Sequence, residues 1–117
     1  EIANLVDSPR VLVNYDTANA IFYGDVDVVK DFEESLDKIG YVHLKEKAGG
    51  RQEWDFPALG QGYVPFDGVF ALLEDANNLS PFSIEIEFTA AGPESLNQIN
   101  QAVLDSAAYL KAKGFTL

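Results

Sequence analysis

Three residues of the sequence combine a metal-binding or proton-transferring side chain with a place at or near the end of a short apolar run. They are Asp16, His43 and Glu85. Short, nearly continuous apolar runs are typical of strands buried in a parallel sheet, and functional groups gather at the carboxyl ends of such strands. Carboxylate oxygens and an imidazole nitrogen suit a divalent cation, and the same groups serve as acid and base. The sequence therefore predicts a metal or acid–base site.

Each of these residues also has a structural interpretation. His43, the single histidine of the chain, fits a hydrogen-bonded residue inside a strand, and Asp16 fits a cap for the turn that follows it. Glu85 and Glu87 point to the same sheet face, and either one fits a solvated edge residue. The occurrence of three ligand types at three successive strand ends favours a site over three separate structural roles.

The positioning elements follow from hydropathy patterns. Strands are predicted at Val11–Tyr15, Tyr41–Leu44 and Phe82–Ile86, and the start of the chain, Glu1–Val6, resembles the last turns of a helix. Three amphipathic helices are predicted from apolar residues at helical spacing. The first helix is capped by Asp25 or Asp27 and closed by Gly40, and its apolar stripe is Val29, Phe32, Leu36 and Ile39. The second helix is capped by Asp67, and its stripe is Val69, Phe70, Leu73 and Ala76. The third helix begins at Gly92–Glu94 and ends at Gly114, and its stripe is Leu96, Ile99, Val103, Ala107 and Leu110.

The resulting order, β-α-β-loop-α-β-α, predicts an α/β fold with a parallel sheet and right-handed crossovers. A long loop from Ala48 to about Pro65 separates the second strand from its helix. We find no linker or repeat, and we expect residues 1–117 to form a single unit.

The composition of the chain excludes several classes of function. Eight basic and 19 acidic residues give a net charge of −11, which argues against binding to nucleic acid or to an anionic membrane. The chain has no cysteine and no apolar run of about 18 residues, so we expect a cytoplasmic protein without disulfides or a transmembrane helix. No Gly-rich strand–helix turn indicates a dinucleotide site.

Four segments together resemble a known family. They are Asn14–Asn19 (NYDTAN), Val42–Glu46 (VHLKE), Leu59–Gly62 (LGQG) and Ser83–Glu87 (SIEIE). Their order and spacing are similar to the last three βα units of the xylose-isomerase-like TIM barrels, which include sugar phosphate isomerases and epimerases, inosose dehydratases and ketose 3-epimerases. The endonuclease branch of this barrel needs many histidines, and this chain has one, so we do not expect an endonuclease.

The resemblance implies one divalent ion, Mn, Mg, Co or Zn, with Asp16, His43 and Glu85 as ligands and a further glutamate on an upstream strand. Asn19 stands where many members carry a second histidine, and it is expected to contact the substrate. The implied activity is isomerisation or epimerisation of a sugar or sugar phosphate, in which an enediolate forms by proton transfer next to a carbonyl. Glu85 is the expected catalytic acid–base residue.

Three more residues are candidates on this interpretation. The charge of Lys45 is expected to stabilise a developing oxyanion or to bind a substrate phosphate, the alternative being a solvated lysine at the strand end. Arg51 and Trp54 lie in the long loop and are expected to cover the substrate or stack on a sugar face, the alternative being a packed surface loop.

A barrel of this type needs about 250 residues. We therefore expect residues 1–117 to be a C-terminal part of one, completed either by self-association or by the missing N-terminal half of the barrel. The alternative functions are a non-catalytic acidic α/β fragment that mediates assembly, or a dehydratase of the same barrel family. Convergence of Asp16, His43 and Glu85 within reach of one metal would favour the enzyme over the assembly module.

Overall fold

A three-stranded parallel sheet is the framework of the chain in this computed structural model, which describes residues 5–116. Leu5 and Val6 are helical, and the rest of the predicted N-terminal helix lies outside the described residues. The following elements are β1 (Val13–Asp16), α1 (Thr17–Gly24), α2 (Val28–Ser35), a 3₁₀ turn (Leu36–Lys38), β2 (Ile39–Lys45), β3 (Asp55–Phe56), α3 (Phe66–Asp75), β4 (Phe82–Glu85), β5 (Phe88–Thr89) and α4 (Leu96–Ala112).

The strand register aligns the carboxyl ends of the sheet. The strand order is β1-β2-β4, and both pairings are parallel. Asp16 lies opposite His43, and Lys45 lies opposite Glu85. The predicted α/β class and parallel sheet are confirmed, and each predicted strand is present with shifted bounds. β3 and β5 form a separate antiparallel pair. β3 lies inside the predicted long loop, and β5 follows β4.

The two faces of β2 have opposite characters. Val42 and Leu44 are fully buried and belong to a core that includes residues of α2, α3 and α4, namely Phe32, Val69 and Leu110. The alternate residues Tyr41, His43 and Lys45 point to the other face, because successive side chains of a strand alternate. The chemistry-bearing residues therefore share the face that the helices do not cover.

The prediction for the first half of β1 is wrong. Val11 and Leu12 precede the strand and are 41% and 50% exposed, so they are not part of a strand that is buried on both faces. The helix α1 was not predicted, although Asp16 was expected as a possible cap for the turn that follows it. It has eight residues without a clear amphipathic pattern, and it begins where the Asp16 side chain accepts hydrogen bonds from two of its backbone amides.

Gly40 does not close a helix, as its position after the predicted stripe suggested. Asp27, one of the two predicted caps, is the N-cap of α2, and the helix ends at Ser35. Gly40 lies within β2. A Cβ at this position would lie 2.5 Å from Leu12 Cδ1. The glycine therefore lets the Leu12 side chain, just before β1, pack directly on β2.

The predicted start of α3 is also wrong, and the predicted buried face of α4 is wrong except at Leu110, which is fully buried as expected. Asp67 lies in the first turn of α3, whose N-cap is Pro65. In α4 the buried residues are Ala102, Ser106 and Leu110, whereas Leu96 and Val103 are 70% and 50% exposed. Small residues let α4 approach the loop, where the Ser106 hydroxyl accepts a hydrogen bond from Leu59 N. The stop at Gly114 is confirmed in position, with a φ of 95°.

Among residues 5–116, no helix is both long enough and apolar enough to cross a bilayer.

Candidate metal centre

Asp16 uses its two carboxylate oxygens for different purposes. Oδ1 accepts hydrogen bonds from Ala18 N at 3.1 Å and Asn19 N at 2.8 Å, which makes Asp16 the N-cap of α1. Oδ2 lies 3.8 Å from His43 Nδ1 and 3.9 Å from Lys45 Nζ. Burial raises the pKa of Asp16, and the nearby Glu85 carboxylate adds to the rise, while the amide of Asn19 and the Lys45 ammonium oppose it.

His43 is engaged at both ring nitrogens. Nδ1 lies 2.6 Å from Glu85 Oε2, and Nε2 lies 3.2 Å from the Asn14 side-chain nitrogen. Tyr41 packs against the ring edge, with centroids 5.8 Å apart. The imidazole is thus held in one orientation, with Nδ1 directed at the carboxylates of both neighbouring strands.

Lys45 is a buried lysine, not a solvated strand-end residue. Its side chain is 2% exposed, and Nζ lies 3.0 Å from Glu85 Oε1 and 2.5 Å from Glu87 Oε2. It also donates to Asn19 Oδ1 at 3.3 Å and lies 4.4 Å from the centre of the Phe56 ring. Burial alone would lower the pKa of Lys45, but the contacts with Glu87 and Glu85 outweigh it and raise the pKa. The ammonium is therefore fixed beside the carboxylates.

Glu85 and Glu87 occupy different places in this arrangement. Glu85 Oε2 faces His43, whereas the carboxylate of Glu87 is an ion-pair partner of Lys45. Glu87 Oε2 is buried and has no aligned hydrogen-bond donor within residues 5–116. Of the two glutamates that the sequence left open, only Glu85 joins the cluster of ligand atoms in the described residues.

One ligand atom from each of Asp16, His43 and Glu85 lies within 4.8 Å of the other two. With neutral His43, the three carboxylates of Asp16, Glu85 and Glu87 face the single ammonium of Lys45, which leaves two negative charges. The donor set and the charge both fit a divalent cation, since carboxylate and imidazole are ligands for such ions.

The other predicted site residues, Asn19 and Arg51 among them, lie outside the cluster of the three ligand atoms. Asn19, in the first turn of α1, directs its oxygen at Lys45. Arg51 binds the end of α1: Nη1 donates to Phe22 O at 3.2 Å, and Nε lies 3.3 Å from Asp25 Oδ1. The guanidinium therefore holds the long loop against α1.

Trp54 belongs to an aromatic cluster with Phe22 and Phe56. The ring centres of Trp54 lie 5.6 Å from Phe22 and 5.1 Å from Phe56, both edge to face. Trp54 is 37% exposed, so part of the side chain remains accessible to solvent. The cluster is connected to the charged site through Phe56, whose ring lies under Lys45.

Two features of the site escaped the sequence analysis. Thr17 is fully buried, and its hydroxyl bonds to the backbone of β2, with Lys45 O at 2.7 Å and Lys45 N at 3.0 Å. Asn14 contacts His43, and the available signal was its alternation with Asp16, which puts both side chains on one face of β1.

The comparisons with known proteins identify the family and the fold of the chain. A family model described as the xylose isomerase-like TIM barrel matches residues 1–113. The chain belongs to this family, and its described elements are a partial TIM barrel. No curated protein matches the sequence.

Two solved structures share the fold. A xylose isomerase domain protein from Planctomyces limnophilus superposes with a TM-score of 0.72 at 22% identity, covering 96% of this chain and 39% of that one. The second, an L-ribulose 3-epimerase, has a TM-score of 0.61 at 18% identity, covering 91% of this chain and 37% of that one. The chain thus spans about two fifths of the length of these structures.

Proposed function

We propose that this protein is a divalent-metal-dependent isomerase or epimerase that acts on a sugar or sugar phosphate. The observation that carries the proposal is the approach of Asp16, His43 and Glu85, whose ligand atoms lie within 4.8 Å of one another. Family membership and the likeness to an epimerase fold support the same class of reaction.

The proposed ligands are Asp16 Oδ2, His43 Nδ1 and Glu85 Oε2, and the ion is Mn, Mg, Co or Zn. Their chemistry supports this assignment, because two carboxylates and one imidazole suit these ions. The bound ion would act as a Lewis acid on a carbonyl and its neighbouring hydroxyl. A further carboxylate, which the resemblance assigns to an upstream strand, would complete the ligand set.

Glu85 is the proposed base for the proton on the carbon next to the carbonyl. Its Oε1 accepts a hydrogen bond from Lys45 Nζ at 3.0 Å, which holds the carboxylate in a fixed orientation. Such fixed placement supports the role, because a base must lie within reach of the proton that it removes.

Lys45 is the proposed source of positive charge for a developing oxyanion or a substrate phosphate. Its ammonium has little exposure, and charge stabilisation is stronger in such a low-dielectric setting than in water. Asn19 is the proposed neighbour that shares the ammonium with the substrate. Trp54, which is partly exposed, is the proposed stacking surface for a sugar, and Arg51 is proposed to assist by holding this loop in place.

Solvent deuterium exchange tests the proposal. The protein is loaded with Mn²⁺ in ²H₂O and incubated with ketoses and ketose phosphates, and ¹H NMR follows loss of the proton next to the carbonyl. We expect exchange in the wild type and a loss of about 100-fold or more in Glu85→Gln, the scale of general base catalysis. Glu33→Gln, on the exposed face of α2, is the matched control. Equal exchange in Glu85→Gln and the control, or none with any sugar, would refute the proposed activity.

A further inference from the structure

Asn14 is the side chain that faces Nε2 of His43, on the side of the ring away from Glu85. It lies two residues before Asp16 in β1 and therefore on the same face of the sheet. Its carboxamide is 3.2 Å from His43 Nε2, while Nδ1 on the other side of the ring is 2.6 Å from Glu85 Oε2. The Tyr41 ring edge and the Asp16 carboxylate are the other groups that face the imidazole.

The position of the ring proton differs between the metal-free and the metal-bound state of a histidine ligand. A neutral imidazole has one N–H donor and one lone pair. In the structure the Asn14 amide nitrogen faces Nε2 and the Glu85 carboxylate faces Nδ1. An amide nitrogen can only donate and a carboxylate can only accept, so this placement fits a ring with its proton on Nδ1 when no cation is bound. A cation beside Asp16 and Glu85 needs the lone pair of Nδ1, so the proton must then lie on Nε2. In that state Nε2 becomes a donor and requires an acceptor.

A carboxamide serves both states, because a half-turn exchanges its donor nitrogen for its acceptor oxygen. We propose that Asn14 is a positioning residue whose amide reverses when the cation binds, donating to Nε2 beforehand and accepting from Nε2–H afterwards. This inference rests on the proposed metal site. One proton leaves Nδ1 and one is taken up at Nε2 through water, so the ring keeps one proton and its charge does not change.

The proposal predicts a difference between acceptor-only and missing side chains. The carboxylate of Asn14→Asp can only accept, so Nε2 should become protonated even without metal. Asn14→Ala offers the ring only water, and partners of metal-bound histidines typically change metal affinity 10- to 100-fold. Because Asn14 is exposed in the described chain, we expect a loss near the lower end, about tenfold.

Two measurements test this. The single histidine gives one set of ring resonances, so ¹⁵N NMR of the metal-free chain, at a pH of about 8 and above the ordinary imidazole pKa of about 6.5, reports protonation at each nitrogen. We expect Nδ1–H in the wild type and protonated Nε2 in Asn14→Asp. Calorimetric titration with Mn²⁺ should show weaker binding by Asn14→Ala and wild-type affinity or better in Asn14→Asp. Asn100→Ala, on the exposed face of α4, is the control and should bind as the wild type does.

The outcomes separate this inference from the proposed function. Unchanged Mn²⁺ affinity in Asn14→Ala, or equal losses in Asn14→Ala and Asn14→Asp with no change in the ¹⁵N spectrum, would overturn the role of Asn14 while leaving the metal site in place. Absence of Mn²⁺ binding in both the wild type and Asn100→Ala would instead overturn the metal site and the amide reversal with it. The metal-free spectrum would then still decide whether Asn14 orients the ring.

Discussion

Asp16 combines a structural and a chemical task within one side chain. Oδ1 caps α1, and Oδ2 faces His43 and Lys45. Burial raises the pKa of this carboxyl, which means that its ionised form costs folding free energy at neutral pH. The capping task needs only an acceptor oxygen, whereas cation binding needs the charge.

Asp16→Asn and Asp16→Ala therefore separate the two tasks. Asparagine caps helices about as well as aspartate and carries no charge, so we expect Asp16→Asn to unfold in urea at the wild-type midpoint or above it. Asp16→Ala loses the cap and should be about 1 kcal/mol less stable than Asp16→Asn. Both variants should bind Mn²⁺ more weakly than the wild type. An Asp16→Asn variant as unstable as Asp16→Ala would argue against this division.

Tyr15 gives the fold a dependence on alkaline pH. Its hydroxyl is buried and donates to Asp31 Oδ2 at 2.8 Å. Burial, this hydrogen bond and the charge of Asp31 raise the pKa of Tyr15 well above its ordinary value. A raised pKa in the folded state means that the stability contribution is complete below the ordinary tyrosine pKa of about 10 and is lost as the pH rises beyond it.

We expect the free energy of unfolding to fall between about pH 9 and pH 11 in the wild type, because the unfolded chain releases the Tyr15 proton there. Tyr15→Phe should cost about 1 kcal/mol at neutral pH, the usual contribution of one hydrogen bond, and should flatten the alkaline decline. Urea unfolding at several pH values measures both effects. An equally steep decline in Tyr15→Phe would show that other groups cause it.

At the scale of single residues, strand ends were sufficient to find the cluster of Asp16, His43 and Glu85. The sequence did not separate Glu85 from Glu87, because both were expected on one face of the sheet; in the structure both contact Lys45, and Glu85 differs by its contact with His43. The contact of Asn14 with His43 joins residues 29 positions apart in the sequence. Such a bond depends on strand register, which hydropathy patterns do not specify.

At the scale of elements, the three strands of the parallel sheet and the helices α2, α3 and α4 were predictable, whereas α1 and the strands β3 and β5 were not. The helix α1 has eight residues, and its ordering depends on the Asp16 cap and on bonds from Thr17 to β2. The buried face of α4 was misread because small residues, Ala102 and Ser106, face the core, while the larger Leu96 remains exposed. Hydropathy weights large apolar residues, whereas close approach of backbones selects small ones.

Glu46 organises the loop that follows β2. Its buried carboxylate accepts hydrogen bonds from the backbone amides of Lys47, Gly60 and Val64 at 3.0, 2.8 and 2.9 Å. Three donors satisfy the charge, as burial of a carboxylate requires. The residue that follows Lys45 therefore pins the loop rather than joining the site.

Gly62 lies where this loop approaches β2 most closely. A Cβ there would lie 2.1 Å from Lys47 O and 2.7 Å from Glu46 Oε1, so Gly62→Ala must displace the backbone. We expect a loss of about 1–3 kcal/mol in urea unfolding, the usual cost of overpacking. Gly50→Ala is the matched control, since its nearest contact would be an ordinary 3.8 Å. Equal stabilities of the two variants would refute the close approach.

At the scale of the whole molecule, the described sheet has two unpaired edges. Within residues 5–116, β1 and β4 each pair with only one strand of the parallel sheet, whereas every strand of a closed barrel has two neighbours. Large apolar side chains are also exposed, with Leu79, Leu96 and Leu104 at 87%, 70% and 63%. Edges and apolar surface of this kind promote association.

We therefore expect the chain to self-associate at micromolar concentration. Its charge of −11 opposes association, but physiological salt screens charges beyond about 8 Å, so raising the salt concentration should shift the equilibrium further toward oligomers. Size-exclusion chromatography with light scattering gives the mass directly. A stable monomer of 12.8 kDa at every salt concentration would contradict this expectation.

The central claim, that Asp16, His43 and Glu85 form one divalent-cation site, can be tested through the single histidine of the chain. Pulsed electron paramagnetic resonance of the Mn²⁺-loaded protein, prepared with ¹⁵N-labelled histidine, detects an imidazole nitrogen bonded to the ion, and only His43 can supply it. We predict a hyperfine coupling of the size that a directly bonded imidazole gives, and its loss in His43→Gln. Bound Mn²⁺ without a ¹⁵N coupling would place the ion elsewhere and contradict the account.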